Sequence, residues 1–368
     1  MNPAANHFRL PLADALKAIA AQIIVLHHLA HYGPMSHAAY DLAPWLFEWL
    51  DQYGRMAVQV FLVVGGYLAA RSLMPGITPV KWDVLPQIGR RYLRLVVPYT
   101  AALVLAIGLS AVARQLMDHE SISAPATAPQ VTAHLLLVQG LLNYESLSAG
   151  VWYLAIDFQL YSLLALLLWL PSKAGIARLA LPAVVALMAV SLFYFNLNSE
   201  WDNWAIYFFG SYGIGALAYW AAVRNKGWLC AAGITLICGL ALLVDFRWRI
   251  LLAMVTALVL LLPFQAAWFE RFINSRPIAF LARISFATFL VHFPVSLVVN
   301  GLFVRFDLDH PALNALGVVL AWGASLMMGA LFYRVIGQGL MPRLGIVRRP
   351  AKASATPALP AGTSKQAA

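Results

Sequence analysis

The residues best placed to do chemistry sit on one apolar stretch, which runs from Asp14-Ala-Leu-Lys17 to His27-His28. Lys17 and His28 are eleven positions apart. At about 100° per residue that is three turns plus about 20°, so on a helix the two share one face, roughly 16 Å apart along the axis. A cation can hold an anionic group, and an imidazole, which titrates near pH 6.5, can take or give a proton. Both are costly within an apolar helix, where such a pair marks a functional site by default. The structural alternative is that Lys17 snorkels to one interface while the histidines sit at the other. His27 and His31, at i and i+4, have metal-pair spacing, but no acid or cysteine with matching spacing lies nearby, so no metal site is expected.

Three further segments carry chemistry-bearing residues. In Gly89-Arg90-Arg91-Tyr92-Leu93-Arg94, Arg91 and Arg94 are i, i+3 and face one way. Guanidinium pairs bidentately with phosphate, although anchoring to anionic lipid explains many such clusters. In Trp152-Tyr153-Leu-Ala-Ile-Asp157-Phe-Gln159-Leu-Tyr161, the residues Tyr153, Asp157 and Tyr161 stack at i, i+4 and i+8. A carboxylate that deep in an apolar run either pairs with a buried cation or positions a substrate hydroxyl. In Ile284-Ser285 through His292-Phe-Pro294, His292 is mid-run beside a proline, and helix packing is the simpler role for it. Gly65-Gly66-Tyr67 reads as a close helix approach, and Cys230 and Cys238, eight apart in one apolar run, read as packing residues.

These segments need helices to position them. The chain has 368 residues, of which 62% are hydrophobic and 11% charged, against about 25% charged in soluble domains. Mean hydropathy is +0.75. Apolar runs of about 20 residues recur without strand-period alternation, so an all-α polytopic membrane protein is expected and a barrel is not. Ten spans are expected, at 12–31, 55–73, 92–117, 151–170, 176–195, 204–222, 228–244, 249–267, 279–304 and 313–338. A piece at 131–143 is too short to span and reads as interfacial or re-entrant. The aromatic and acidic segment 32–54 reads as an interfacial belt, with a lid as the alternative.

The first run carries Lys17 and two histidines and lacks a small-residue exit, so it reads as a retained first helix rather than a cleaved signal. With the N-terminus inside, inner segments collect most cations, including Arg9, Arg71, Lys81, Arg90, Arg91, Arg94 and Arg178. Outer segments hold only Arg55, Arg114, Arg247, Arg249 and Arg305. This bias places both termini in the cytoplasm. It also accounts for the net charge of +10 without nucleic acid as a partner. One membrane domain is expected over 1–344. The Ala/Pro/Ser/Thr-rich tail 345–368 cannot bury enough surface to fold and is expected to be disordered.

Together these segments resemble the membrane-bound acyltransferase 3 family of bacterial O-acyltransferases. Lys17, ten residues and His28 are similar to the family's Arg/Lys-x10-His pattern. Val60 through Leu68 resembles its apolar-Ser-Gly-Phe-Leu segment, and Arg90-Arg91-Tyr-Leu-Arg94 before Pro98 its Arg-x-x-Arg motif. Trp152-x-Leu-x-x-x-Asp157-x-Gln-x-Tyr161 and Ile284-Ser-Phe-x-x-Phe-Leu-x-His292-Phe-Pro294 resemble its two later motifs. Lys17 stands where arginine is commoner, Gly65 where serine is, and Asp157, one methylene shorter, where glutamate is. The match runs from about residue 9 to 340.

The resemblance implies an integral-membrane acyltransferase moving a group other than an amino-acyl group. The donor would be cytoplasmic acyl-CoA, with acetyl as the default and no resident cofactor. The acceptor would be a hydroxyl of an exported glycan, a lipid-linked sugar or another small molecule, in the bacterial inner membrane. His28 would be the general base or a transient acyl carrier, with Asp157 orienting it or the acceptor. Lys17, Arg91 and Arg94 would bind donor phosphates or stabilise developing charge. Asp14, Arg90, Trp152, Tyr161 and His292 would support them. Ten helices with buried charges also suit a transporter or flippase of a glycan or lipid intermediate.

Overall fold

The computed structural model describes residues 3–261 and 267–347. In chain order the helices are α1 (Pro3–His31), α2 (Pro34–Ala39), α3 (Pro44–Tyr53), α4 (Val58–Leu73), α5 (Val84–Leu116), α6 (Ala128–Leu135), α7 (Trp152–Lys173) and α8 (Ala180–Phe193). They continue with α9 (Ala205–Val223), α10 (Gly227–Val244), α11 (Trp248–Leu261), α12 (Ala267–Ile273), α13 (Arg276–Arg305) and α14 (Pro311–Phe332). A π-helical stretch (Tyr333–Leu340) extends α14. No strand occurs among the described residues.

Among the described residues, nine helical stretches are long and apolar enough to cross a membrane. This is a multi-pass, all-α membrane protein. The eighth expected span, 249–267, corresponds to α11, whose 14 residues are apolar but short. Residues 262–266 of that expectation lie outside the described residues, as does the expected tail from 348 onward. The expected short piece at 131–143 is the eight-residue α6 followed by turns. The third span begins earlier than expected: α5 starts at Val84 rather than 92. Arginine is a good helix former, so Arg90 and Arg91 ride on the helix with Arg94 instead of preceding it.

Two helices form the centre. The apolar windows of α9 and α13 are each 72% buried, whereas that of α10 is 17% buried. Leu243, Trp228 and Met327 point outward from the peripheral helices, as a lipid-facing surface requires. α4 and α9 cross closely. A Cβ on Gly66 would fall on the Tyr212 carbonyl, and one on Gly215 on the Val63 carbonyl, so glycine is what lets these backbones meet. α1 packs on α13, α13 on α5, and α5 on α7. The helices that carry the motifs are therefore neighbours. α3 lies along α1 with Trp45 and Trp49 exposed, an amphipathic segment of the kind expected at an interface.

Candidate active site

Two pockets lie between these helices and share two residues. One, of about 350 Å³, is lined by Lys17 on α1, Phe61 and Gly65 on α4, Arg91 and Arg94 on α5, Tyr153 and Asp157 on α7, and Phe289 on α13. The other, of about 510 Å³, is lined by His27, His28 and His31 on α1, by Asp51 and Arg55, and by Gly150, Trp152, Tyr153 and Phe289. Tyr153 and Phe289 belong to both. Their ring centres are 5.8 Å apart, and Phe61 closes a triangle with them at 5.7 and 6.0 Å. This aromatic cluster stands at the boundary between a cationic and a histidine-lined chamber.

The cationic chamber is organised by a buried ion pair. Asp157, 5% exposed, accepts a hydrogen bond from Arg91 Nη2. The guanidinium also lies over the Tyr161 ring, 5.2 Å from its centre. Its Nε is buried with no hydrogen-bond partner, so one donor is left to offer. A pair of this kind tolerates loss of one partner badly, because the other is left as an uncompensated charge. Arg90, Arg91, Arg94 and Tyr161 also line an adjoining lobe of about 320 Å³. Lys17 Nζ bridges Asp14 at 2.8 Å, a partly exposed i, i+3 contact that contributes little to stability by itself. A Cβ on Gly65 would lie 3.4 Å from Asp157 Oδ1, so a side chain at this position would sit beside the ion pair.

In the histidine chamber, whose lining also holds Asp51 and Arg55, the central group is His28, held by a second imidazole. His28 Nδ1 lies 2.7 Å from His292 Nε2, across 264 positions of sequence. His292 Nδ1 lies 2.9 Å from the Phe289 carbonyl and 3.2 Å from that of Thr288. A carbonyl only accepts, so the hydrogen-bond network assigns the proton to His292 Nδ1 and leaves its Nε2 as an acceptor. His28 Nδ1–H then donates to it, and the Nε2 of a neutral His28 is left unprotonated. His28 is 8% exposed and His292 1% exposed. Gly150 packs against this ring at φ +85, and a Cβ there would lie 3.4 Å from His28 Cε1 and 3.2 Å from the Phe289 ring. Glycine thus answers both the left-handed backbone and the close approach.

The neighbouring histidines are engaged differently. His27 donates from Nδ1 to the Leu50 carbonyl at 2.9 Å and so ties α3 to α1. His31 Nδ1 meets Asp51 Oδ1 at 2.5 Å. His31, Tyr32 and Asp51 also line an outer cavity of about 580 Å³, so the histidine chamber extends towards the chain's acidic side. Among the described residues no group of three or more His, Cys, Asp or Glu side chains is arranged to hold a metal ion.

The expected site residues therefore fall into two groups. Lys17, Arg91, Arg94 and Asp157 line one chamber, with Asp14 at its edge and Arg90 and Tyr161 in the adjoining lobe. His28 and Trp152 line the other, and His292 stands behind His28. Asp157 pairs with a buried cation, Arg91, one of the two roles expected of it, and not with His28. The hydrogen-bond partner of His28 is His292, for which helix packing was the simpler expectation and a supporting role the one the resemblance implied. The aromatic boundary was not expected. Its signal is spacing: Tyr153 lies four residues before Asp157 and Phe289 three before His292, each one turn away on the same face.

The acyltransferase 3 family model, described as an acyltransferase domain, matches residues 12–334. No curated protein and no solved structure matches the chain.

Proposed function

Since the chain belongs to the acyltransferase 3 family, it is a membrane acyltransferase, and we propose that it moves an acyl group from acyl-CoA to an acceptor hydroxyl through the two chambers that meet at Tyr153 and Phe289. The observation that carries this reading is that one chamber groups three cations and the other holds His28 with its Nδ1 engaged by His292. Arg91, Arg94 and Lys17 suit the phosphates of coenzyme A, by the same bidentate chemistry that binds other phosphates. The positive-inside bias supports a cytoplasmic position for this chamber with both termini inside, and the membrane we propose for it is a bacterial inner membrane. The acyl group, acetyl by default, reaches the aromatic boundary on the pantetheine arm.

The acceptor enters from the opposite side, as an exported glycan or lipid-linked sugar would. His28 Nε2 takes the proton of its hydroxyl while the oxygen attacks the thioester carbonyl carbon. The tetrahedral intermediate then expels the thiolate of coenzyme A as the C–S bond breaks. The proton on His28 returns to the thiolate or to solvent. His292 holds the His28 ring by accepting its Nδ1–H and stabilises the imidazolium that forms. General base catalysis of this kind is worth about 10²–10⁴ in rate. Asp157 acts through Arg91, keeping the guanidinium placed and charged.

The test is purified protein in liposomes with labelled acetyl-CoA and an exported glycan fraction. Label on the glycan, with free coenzyme A released in equal amount, supports transfer. Glycan movement across the bilayer without thioester cleavage would support a flippase instead. Mass spectrometry of surface glycans from a deletion strain then names the acyl group and its carrier.

A further inference from the structure

Trp152 lines the histidine chamber and also a separate cavity of about 330 Å³. The polar lining of that cavity is Gln139, Gln159, Asp202 and Asn203. Gln139 is 1% exposed, yet neither its Nε2 nor its Oε1 has a hydrogen-bond partner. Buried side-chain amides are nearly always satisfied, and an unsatisfied one is destabilising enough to need a reason. Its backbone is held, since the Tyr144 N–H donates to the Gln139 carbonyl at 2.9 Å. Gln159 is held too, donating from Nε2 to the Leu137 carbonyl at 3.2 Å. The cavity is well beyond the roughly 30 Å³ share of one water, so it has room for a molecule that would satisfy the amide.

The lining also says what kind of molecule. Among the described residues no lysine, arginine or histidine lines this cavity, and Asp202 does, so it disfavours an anion. Amides both donate to and accept from hydroxyls, and a carboxylate accepts from them. Trp152 and Phe208, with ring centres 5.7 Å apart, add an aromatic wall. Amide groups beside an aromatic wall suit a ring with hydroxyls at its edge and C–H groups on its face. The contrast with the three cations of the donor chamber is complete. We propose that this cavity is a subsite for a neutral sugar ring of the acceptor, next to the residue whose hydroxyl meets His28. The inference rests on the transfer reading above for the identity of the sugar as acceptor.

The experiment uses the full chain in nanodiscs and reads binding by saturation-transfer NMR titration. The probes are the methyl glycosides of glucose, galactose, mannose and N-acetylglucosamine, with glucuronic acid and glucose 6-phosphate as charged controls. At least one neutral glycoside is expected to bind saturably, and the charged sugars at least tenfold more weakly. Gln139→Leu is expected to weaken that binding at least tenfold, while acetyl-CoA affinity is unchanged and the thermal midpoint is equal or higher, since an orphaned amide is removed. Asn203→Ala alters an exposed side chain of the same lining and is expected to weaken sugar binding should Gln139→Leu fail to fold. Absence of neutral glycoside binding, equal binding of the charged sugars, or unchanged binding in the folded variant would overturn the proposal. If wild-type protein binds the glycoside but does not consume acetyl-CoA, the transfer reading fails while the sugar site stands.

Discussion

The two chambers that meet at Tyr153 and Phe289 hold their polar groups by opposite means. On one side Arg91 and Asp157 are charged, and each is tolerable only because the other is there. On the other side His28 and His292 are neutral, joined by one hydrogen bond whose direction is fixed by the carbonyls of Phe289 and Thr288. The difference follows from what each place must do. A site for phosphates needs a permanent cation held in position, and a carboxylate partner supplies this without occupying every donor. A site for a base needs an imidazole whose second nitrogen is bare. A carboxylate beside His28 would favour the protonated ring, whereas a neutral partner that only accepts leaves it free to take a proton.

That contrast can be broken at either end. The largest effect belongs to the ion pair. Arg91→Ala leaves the Asp157 carboxylate buried and alone, and a loss of roughly 3–5 kcal/mol of stability is expected. Combining Arg91→Leu with Asp157→Leu should restore most of it, with acyl-CoA affinity still lost. Thermal midpoints with acyl-CoA titrations check both, and a single variant as stable as wild type would show that the pair is not needed to neutralise charge. Next comes the boundary. Phe289→Leu widens the aromatic cluster, and the rate with butyryl-CoA relative to acetyl-CoA is expected to rise about tenfold, the usual size of discrimination by a few methylenes.

An effect of similar size is expected at His292. His292→Leu removes the acceptor of the His28 hydrogen bond and should lower the transfer rate roughly tenfold, about one hydrogen bond's worth. His292→Gln, which can still accept, should recover part of it, with donor KM unchanged in both. Equal rates in the two variants would remove the positioning role.

The smallest effect lies outside the spans, at His134. Its Nδ1–H donates to the Gln130 carbonyl at 2.8 Å, and its Nε2 accepts the Leu147 N–H at 3.2 Å. Burial lowers its pKa from 6.5. The fold thus favours the neutral ring, and the unfolded chain binds the extra proton. Stability is fully present above pH 6.5 and falls as pH drops through that value towards the lower folded pKa. Thermal midpoints at pH 7.5 and 5.5 should show less acid sensitivity in His134→Gln than in wild type.

Much of this architecture was legible in the sequence. Apolar runs located the helices, because a spanning backbone must bond within itself. The eleven-residue spacing put Lys17 and His28 on one face of α1, and they line chambers that share a wall. The carboxylate of Asp157 called for a buried cation, but only packing selects Arg91, 66 positions away. His28 and His292 lie on helices 264 positions apart, and no local rule links two such residues. Gln139 was silent for a different reason. One amide in a short apolar piece is unremarkable until the fold buries it and leaves it without a partner. The boundaries of α5 shifted because arginines propagate a helix as well as they end an apolar run.

The most direct test of the two-chamber scheme reads both chambers in one variant, His28→Gln. Acyl-CoA affinity, measured by titration on the purified protein, is expected to match wild type, because His28 lines only the histidine chamber. Transfer of label from acetyl-CoA to the acceptor is expected to fall by at least about a hundredfold. Transfer at the wild-type rate, or loss of donor binding together with transfer, would contradict the division of labour between Arg91 and His28.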